Sequence, residues 1–380
     1  MNTADSAEMA QPLQSRGFTA TGDPSQADII LMNTCTVRDQ AEHRADSNLG
    51  RLREWKAANP ERILIVAGCA ASRWGESIRR KYPFIDLVSP ATKIDEFPEA
   101  VKAVLKDRWD GRQETALFEP AALDPEFRRE STGNWFGDEN TAYVTVMRGC
   151  NYNCSYCIVP SVRGREKYRA LPDIVAEIRQ RAAQGHREVM LLGQTVNSYY
   201  WRPDPAGTDV RDFADLLRAV QAIEGVEAIR FMSPHPRHMK PKVIAAMAES
   251  PKVCRHLHLP LQSGSDAVLA RMKRLYSASE YLDIVRQLRA AMPEIKLTTD
   301  VIVGFPGETE TDFKQTLETF AKAAFDGVFA FKYSPRPGTV SADWPDDVPN
   351  EEKEARLQRV LALNRQIVES KPAWASSSSS

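Results

Sequence analysis

Ala142-Tyr143-Val144-Thr145-Val146-Met147-Arg148-Gly149-Cys150-Asn151-Tyr152-Asn153-Cys154-Ser155-Tyr156-Cys157 reads as an apolar, β-branched strand running straight into a loop with three cysteines. C-terminal to it the pattern repeats. Candidate strands lie at Glu188 to Gly193, Ala228 to Met232, His256 to Leu259, Lys296 to Gly304 and Gly327 to Tyr333, each separated by helical periodicity. The helix at Thr309 has its own start signal, Thr309 with Asp312 as a capping box, and an apolar face at Phe313, Leu317, Phe320 and Ala324. Six βα units in about 190 residues are too few for an eight-unit barrel, so the expectation is an incomplete (β/α)6 barrel, open on one side.

Toward the N-terminus the alternation is also βα: Ile29 to Thr34, a helical stretch from Val37 to Ala58, Ile63 to Ala67, a second helix, Ile85 to Val88, then Ile94 to Leu105. This predicts an α/β, doubly wound parallel-sheet domain over residues 1–107. The chain opens on a helical pattern, Asn2 to Ser15, where such a unit usually begins with a strand, so one strand is expected to be missing. Charge, Pro and loop formers such as Asp110, Gly111, Pro120 and Pro125 predict a linker over 108–140. The barrel then occupies 141–345, and 346–380 holds one amphipathic helix (Leu357, Val360, Leu361, Leu363, Ile367) and a tail with Trp374 and the Ser376 to Ser380 run.

Composition excludes several classes. With 380 residues, 42% hydrophobic, 50 Lys+Arg and 51 Asp+Glu, the chain is ordinary for a globular protein and is neither disordered, collagenous nor coiled coil. No apolar run approaches the roughly 18 residues of a membrane span, and the polar start carries no signal-peptide pattern. A cytoplasmic location is expected. There the six cysteines stay reduced, and their spacing points to metal or redox chemistry before disulfides.

Cys150, Cys154 and Cys157 form C-x3-C-x2-C. A cubane iron-sulfur cluster normally takes four cysteines, so three leave one iron open to a substrate or cofactor. A structural zinc site prefers four ligands in paired spacings, and no partner pair stands nearby. Cys35 and Cys69 each end a predicted strand; alone they read as buried apolar fillers or as two thiols meeting at the carboxyl edge of a parallel sheet. Cys254 reads as structural. His256 and His258, two apart, share a strand face, either near a cofactor or in an ordinary polar barrel interior.

The stretch Gly149 to Cys157, with Tyr156 before the third cysteine, resembles the radical S-adenosylmethionine (SAM) signature. With Ile158-Val159-Pro160, Arg163-Gly164-Arg165, Leu191 to Tyr199, His256 to Asp266, Thr299 to Glu308 and Tyr333 to Thr339, it resembles the methylthiotransferase branch, in which the second domain is a radical SAM barrel. The resemblance implies a 4Fe-4S cluster on Cys150, Cys154 and Cys157 that cleaves SAM reductively, and an auxiliary 4Fe-4S cluster held partly by Cys35 and Cys69. It also implies SAM contacts at Tyr156, Gly193, Gln194, Ser233, Gln262, Ser263 and Gly304. The third auxiliary ligand of the family falls just before a Met-Asn pair; here Met1-Asn2 takes that place, so N-terminal truncation is expected. The small β domain for RNA binding that usually follows the last helix is likewise expected to be absent.

Basic residues cluster at predicted strand ends: Arg148, Arg163, Arg165, Lys167, Arg169; Arg237, His238, Lys240, Lys242; Arg271, Lys273, Arg274; Lys332, Arg336. This predicts a phosphate-binding face for a tRNA anticodon loop, whose unstacked bases a protein can reach. Within the family the local sequence resembles the branch adding a methylthio group to C-2 of N6-isopentenyladenosine next to the anticodon (position 37). An electron donor such as flavodoxin or ferredoxin is implied. The alternatives are methylthiolation of threonylcarbamoyl-adenosine or of a ribosomal-protein aspartate, or a non-catalytic iron-sulfur RNA-binding protein.

Overall fold

The computed structural model describes residues 2–36, 39–106, 115–119, 140–204 and 206–371. The chain divides into two compact units, Met1–Gly137 with Ile158–Arg165, and Asp138–Cys157 with Glu166–Ser380. Trp374, the serine tail and most of the expected linker lie outside the described residues.

The first unit runs α1 (Asn2–Gln14), β1 (Thr19–Ala20), β2 (Ile29–Thr34), α2 (Asp39–Ala58), β3 (Ile63–Gly68), α3 (Cys69–Trp74), β4 (Leu87–Pro90), α4 (Phe97–Lys106), β5 (Thr115–Glu119), and gains α5 (Val159–Arg163) from further along the chain. Its strands are all parallel, in the order β1-β5-β2-β3-β4. β2 and β3 are buried at every position, which is why they read as continuous apolar runs without alternation. Successive side chains still point to opposite faces. Ile29, Leu31, Ile63 and Ile65 pack with Met9 and Leu13 of α1 and Phe97 and Val101 of α4. Ile30, Met32, Leu64 and Val66 pack with Leu49 of α2 and Ala71 of α3. Helices on both faces make this the expected doubly wound sheet.

The expected linker differs in one respect: Thr115–Glu119 is a strand of this sheet, paired with β2 on the side away from β3. An unpaired edge of a buried strand presents a row of N–H and C=O groups, and the short apolar run between loop formers satisfies them. The segment 158–165, read as part of the barrel, also belongs to the first unit.

The second unit continues with β6 (Thr141–Thr145), α6 (Leu171–Ala183), β7 (Glu188–Leu192), α7 (Phe213–Gln221), β8 (Ala228–Phe231), α8 (Pro241–Glu249), β9 (His256–His258), α9 (Ala278–Ala291), β10 (Lys296–Val303), α10 (Glu310–Ala323), β11 (Gly327–Lys332) and α11 (Asn350–Ser370). β6, β7 and β8 pair in parallel, as do β9, β10 and β11, and a bridge from Ile229 to Val253 joins the two sets. Six parallel strands therefore stand in chain order, the expected incomplete barrel. Leu257, Leu297, Val301 and Val303 pack in one core with Phe313 and Phe320 of α10. His256, His258, Thr298 and Asp300 alternate with them and face the other way, into the barrel.

Helix α10 starts with the predicted capping box of Thr309 and Asp312. It stops one residue before Ala324, whose backbone is left-handed (φ 45°) and closes the helix instead of extending its apolar face. Helix α11 packs on β11 and α10 as part of the second unit, with Val360 fully buried and Leu361 at the surface. It also buries two cations that periodicity does not reveal, Lys353 and Arg356. Arg356 Nη1 donates to Glu308 Oε2 at 2.8 Å, with side-chain exposures of 5% and 0%. Arg356→Met leaves Glu308 buried without a counter-charge, holding only the Gly304 N–H; the expected loss is about 3–5 kcal/mol, read as a lower urea midpoint, with most of it recovered in Arg356→Met/Glu308→Leu.

Candidate active site

Because β6 to β11 are parallel, their carboxyl ends share one rim, and the residues following each strand converge there. The Cys150–Cys157 loop leaves the end of β6 and has almost no regular structure of its own. Neighbouring strand-end loops hold it instead. Gly149 N–H donates to Gln194 Oε1 at 2.5 Å, and Cys150 Sγ lies 3.3 Å from Thr195 Oγ1, both partners following β7. Ser155 is fully buried; its N–H and hydroxyl donate to the carbonyls of Met272 and Arg271, and its own carbonyl accepts from Ser341 N–H. A turn, Cys157 N–H to Cys154 C=O at 3.0 Å, brings the last thiol back toward the second.

Arg274 supplies the positive charge. Its guanidinium is buried, donates Nη1–H to Cys154 Sγ at 3.4 Å and Nε–H to Tyr276 Oη at 3.1 Å. Burial pushes the Cys150 thiol up, partly offset by the Thr195 hydroxyl, so without a metal this sulfur stays protonated. Among the described residues no three His, Cys, Asp or Glu side chains stand close enough together to hold a metal ion. The three thiols share a loop rather than a point. Three soft sulfur donors on one loop, with a buried guanidinium against Cys154, suit an iron-sulfur cluster, which carries thiolate charge that Arg274 would offset.

Within the loop, Tyr152 stacks on His235 with centroids 4.2 Å apart, and its hydroxyl lies 2.7 Å from His238 Nε2. His235 sits in the loop after β8, clamped by Asn197: His235 N–H donates to Asn197 Oδ1 and Asn197 Nδ2 donates back to His235 C=O. Burial, helped by Arg274, pushes the His235 imidazole down to about 2; burial, helped by Lys240 and Arg237, pushes His238 down to about 4; and burial raises Tyr152 to about 12. All three are neutral near pH 7. Tyr152 and His238 border a cleft of about 920 Å³ lined also by Asn151, Asn153, Lys273 and Tyr276 among others, with His235 stacked behind Tyr152. This stacked group carried no motif signal beyond His238 in a basic run.

The predicted SAM contacts occupy different environments. Ser233 and Gln262 are non-glycine residues with left-handed backbones, φ 61° and 69°, a cost that such positions carry when a site needs it. Gln194 is committed at one oxygen to Gly149. Tyr156 packs edge-on against Phe305 at 6.2 Å. Gly193 is buried against Met147 at the end of β7. Ser263 is fully buried with its hydroxyl 3.2 Å from Thr316 Oγ1 and accepting from Ser265 N–H, so it supports the loop. Gly304 (φ 68°) accommodates Lys353, whose Cγ a Cβ would meet at 2.2 Å, which accounts for the glycine through packing. His258 contacts Thr298 Oγ1 and Asp300 Oδ2, and Cys254 N–H pairs with Ile229 C=O in the bridge between strands.

In the first unit Cys35 and Cys69 follow Thr34 and Gly68, which are paired residues of β2 and β3, so the two thiols leave adjacent strand ends. Cys69 is buried, and Cys35 is partly exposed. The basic face is smaller than sequence alone suggests. Arg163 and Arg274 are buried against thiols, Arg169 pairs with Glu177, Lys242 with Asp212 and Asp215, and Lys332 with Glu354. In the second unit Lys167, Arg237, Lys240 and Lys273 are exposed, as is Arg165 in the first.

Residues 144–320 match the Radical SAM superfamily, and residues 1–90 match the uncharacterized protein family UPF0004. The chain is 45% identical over 368 residues to a tRNA-2-methylthio-N(6)-dimethylallyladenosine synthase of Geobacter metallireducens, covering 97% of this chain and 81% of that protein. It is 43% identical to the protein of that name from Chromobacterium violaceum, covering 98% and 81%. The chain belongs to this family of synthases. Membership of the radical SAM superfamily brings a 4Fe-4S cluster and SAM. Among solved structures, the radical SAM methyltransferase TsrM of Kitasatospora setae, with cobalamin and a 4Fe-4S cluster bound, superposes with TM-score 0.62 at 15% identity over 89% of this chain and 74% of that one, a likeness of fold.

The neutral histidines of this synthase-family barrel contribute to the pH dependence of its stability. His235 and His238 have folded values below their ordinary 6.5, so between those limits the unfolded chain binds more protons. Their contribution is intact above pH 6.5 and is lost progressively as pH falls from there toward about 4 for His238 and about 2 for His235. For His235 the slope is about 1.4 kcal/mol per pH unit. Urea midpoints at pH 7.5, 6 and 5 are expected to fall progressively, and His238→Gln to flatten the decline.

Proposed function

We propose that the protein is a radical SAM methylthiotransferase that adds a methylthio group to C-2 of N6-isopentenyladenosine beside the anticodon of tRNA. The observation that carries this reading is the three-thiol loop at the end of β6, in a chain that resembles the named synthases along almost its whole length. Cys150, Cys154 and Cys157 hold the cluster. Gln194, Thr195 and Ser155 keep the loop in shape, and Arg274 balances charge at Cys154. Ser233, Gln262 and the rim beside Tyr156 are the places for SAM. When bound, the cluster and SAM supply one-electron cleavage and hydrogen abstraction from an unactivated carbon.

Cys35 and Cys69 are the thiols of the proposed auxiliary 4Fe-4S cluster, which would provide or carry the sulfur. Two soft donors at adjacent strand ends, one partly exposed, suit such a site. The exposed Lys167, Arg237, Lys240 and Lys273 are the candidates for anticodon-loop phosphates. A flavodoxin or ferredoxin would deliver electrons.

The test is nucleoside mass spectrometry of tRNA from a bacterial host lacking its own synthase and expressing this chain. The expected result is 2-methylthio-N6-isopentenyladenosine appearing as N6-isopentenyladenosine declines, with Cys154→Ala abolishing the conversion. An unchanged isopentenyl-adenosine pool, or a methylthio group on threonylcarbamoyl-adenosine or on a ribosomal-protein aspartate, would count against the proposal. Release of 5'-deoxyadenosine from SAM under anaerobic reduction separates an enzyme from a non-catalytic iron-sulfur RNA-binding protein.

A further inference from the structure

Arg163 occupies an unusual place in the first unit. It closes α5, six positions after Cys157 in sequence, and its side chain is only 6% exposed. Its Nε–H donates to Cys69 Sγ at 3.0 Å, and its Nη2–H donates to Asp5 Oδ2 at 2.9 Å. Asp5 projects from α1 with a side chain 2% exposed. Ile158 and Val162 of the same segment pack with Cys69 and Ala91 in a small apolar cluster. A guanidinium is therefore held between a carboxylate and a sulfur, out of water.

Stability alone gives a poor account of this arrangement. Removing an arginine and an aspartate from water costs several kcal/mol per ion, and an apolar pair of similar volume is often as stable. A neutral thiol is a weak acceptor, so a charged N–H aimed at it gains little. The same N–H aimed at a ligating thiolate is a charge-assisted hydrogen bond. Hydrogen bonds to cluster sulfurs set reduction potential, and partners behind a ligand orient it. The strand end is built closely as well: at Gly68 (φ 95°) a Cβ would lie 2.3 Å from Asn33 Oδ1 and 2.5 Å from Thr34 C=O, so the turn into Cys69 admits only glycine there.

We propose that Arg163 is the positioning residue of the auxiliary iron-sulfur site: it fixes the Cys69 sulfur through Nε–H and stabilises the reduced cluster, while Asp5 orients Arg163 and partly cancels its charge. This rests on the reading of Cys35 and Cys69 as auxiliary-cluster thiols.

The experiment uses the full chain carrying Cys150→Ala, Cys154→Ala and Cys157→Ala, reconstituted anaerobically with iron and sulfide, so that any remaining cluster sits at the first unit. Iron and sulfide per chain are measured. The midpoint potential follows from titration with dithionite and mediators, in which one electron passes from dithionite to the cluster, read by electron paramagnetic resonance. Arg163→Gln is expected to disfavour the reduced state about tenfold, a fall of about 59 mV for one electron. Arg163→Lys, which keeps the charge, should recover part of the shift, and Asp5→Asn should move the potential upward. Opposite signs from the two sides of one ion pair are not produced by a merely structural role. Loss of iron in Arg163→Gln with retention in Arg163→Lys also supports the inference. Unchanged potentials and iron in all three variants would overturn it while leaving the cluster in place; absence of iron from the parent three-alanine chain would overturn the auxiliary-cluster reading together with it. Should Arg163→Gln fail to fold, Arg163→Lys and Asp5→Asn decide the outcome.

Discussion

A loop with almost no regular structure has to keep three thiols in register, and the second unit is organised around holding it. The backbone between Cys150 and Cys157 makes few bonds to itself, so its polar groups are satisfied by others: Gln194 and Thr195 after β7, Arg271 and Met272 at the C-terminal end of the short helix Asp266–Arg271, and Ser341 after β11. The contacts come from three separate segments, one after β7, one between β9 and α9, and one after β11. The parallel order of β6 to β11 is what places those segments on one rim, and the loop inherits its shape from the barrel.

Charge placement follows the same economy. Arg274 beside Cys154 and Arg163 beside Cys69 are buried guanidiniums that each face a thiol. In both cases burial takes the charge out of water, with Asp5 as the counter-charge at Arg163, so neither cation contributes to a solvated, phosphate-facing surface. The histidines at the rim behave in the opposite way. His235 and His238, desolvated and near cations, are held neutral, and they serve as stacking and hydrogen-bonding surfaces for Tyr152.

Much of the architecture was legible because it rests on local rules. The strands β2 and β3 were visible as apolar runs, the barrel strands as repeated βα units, and the start of α10 as a capping box. The strand Thr115–Glu119 was not, since a five-residue run among loop formers becomes a strand only when an open edge is offered. Ser263 and Gly304 sat in suggestive motifs, yet the first is committed to Thr316 and the second makes room for Lys353, contacts that depend on helices far along the chain.

The identity of the chemistry was a property of the sequence: C-x3-C-x2-C after a strand specifies three thiols on one loop, because spacing along a short segment limits where its side chains can go. Which groups stand behind those thiols was decided only by tertiary structure. Arg163 reaches Cys69 across 94 positions and Arg274 reaches Cys154 across 120. Both look like members of a basic surface until packing removes them from water. A linear pattern carries no information about desolvation, and desolvation is what turns an ordinary arginine into the partner of a sulfur.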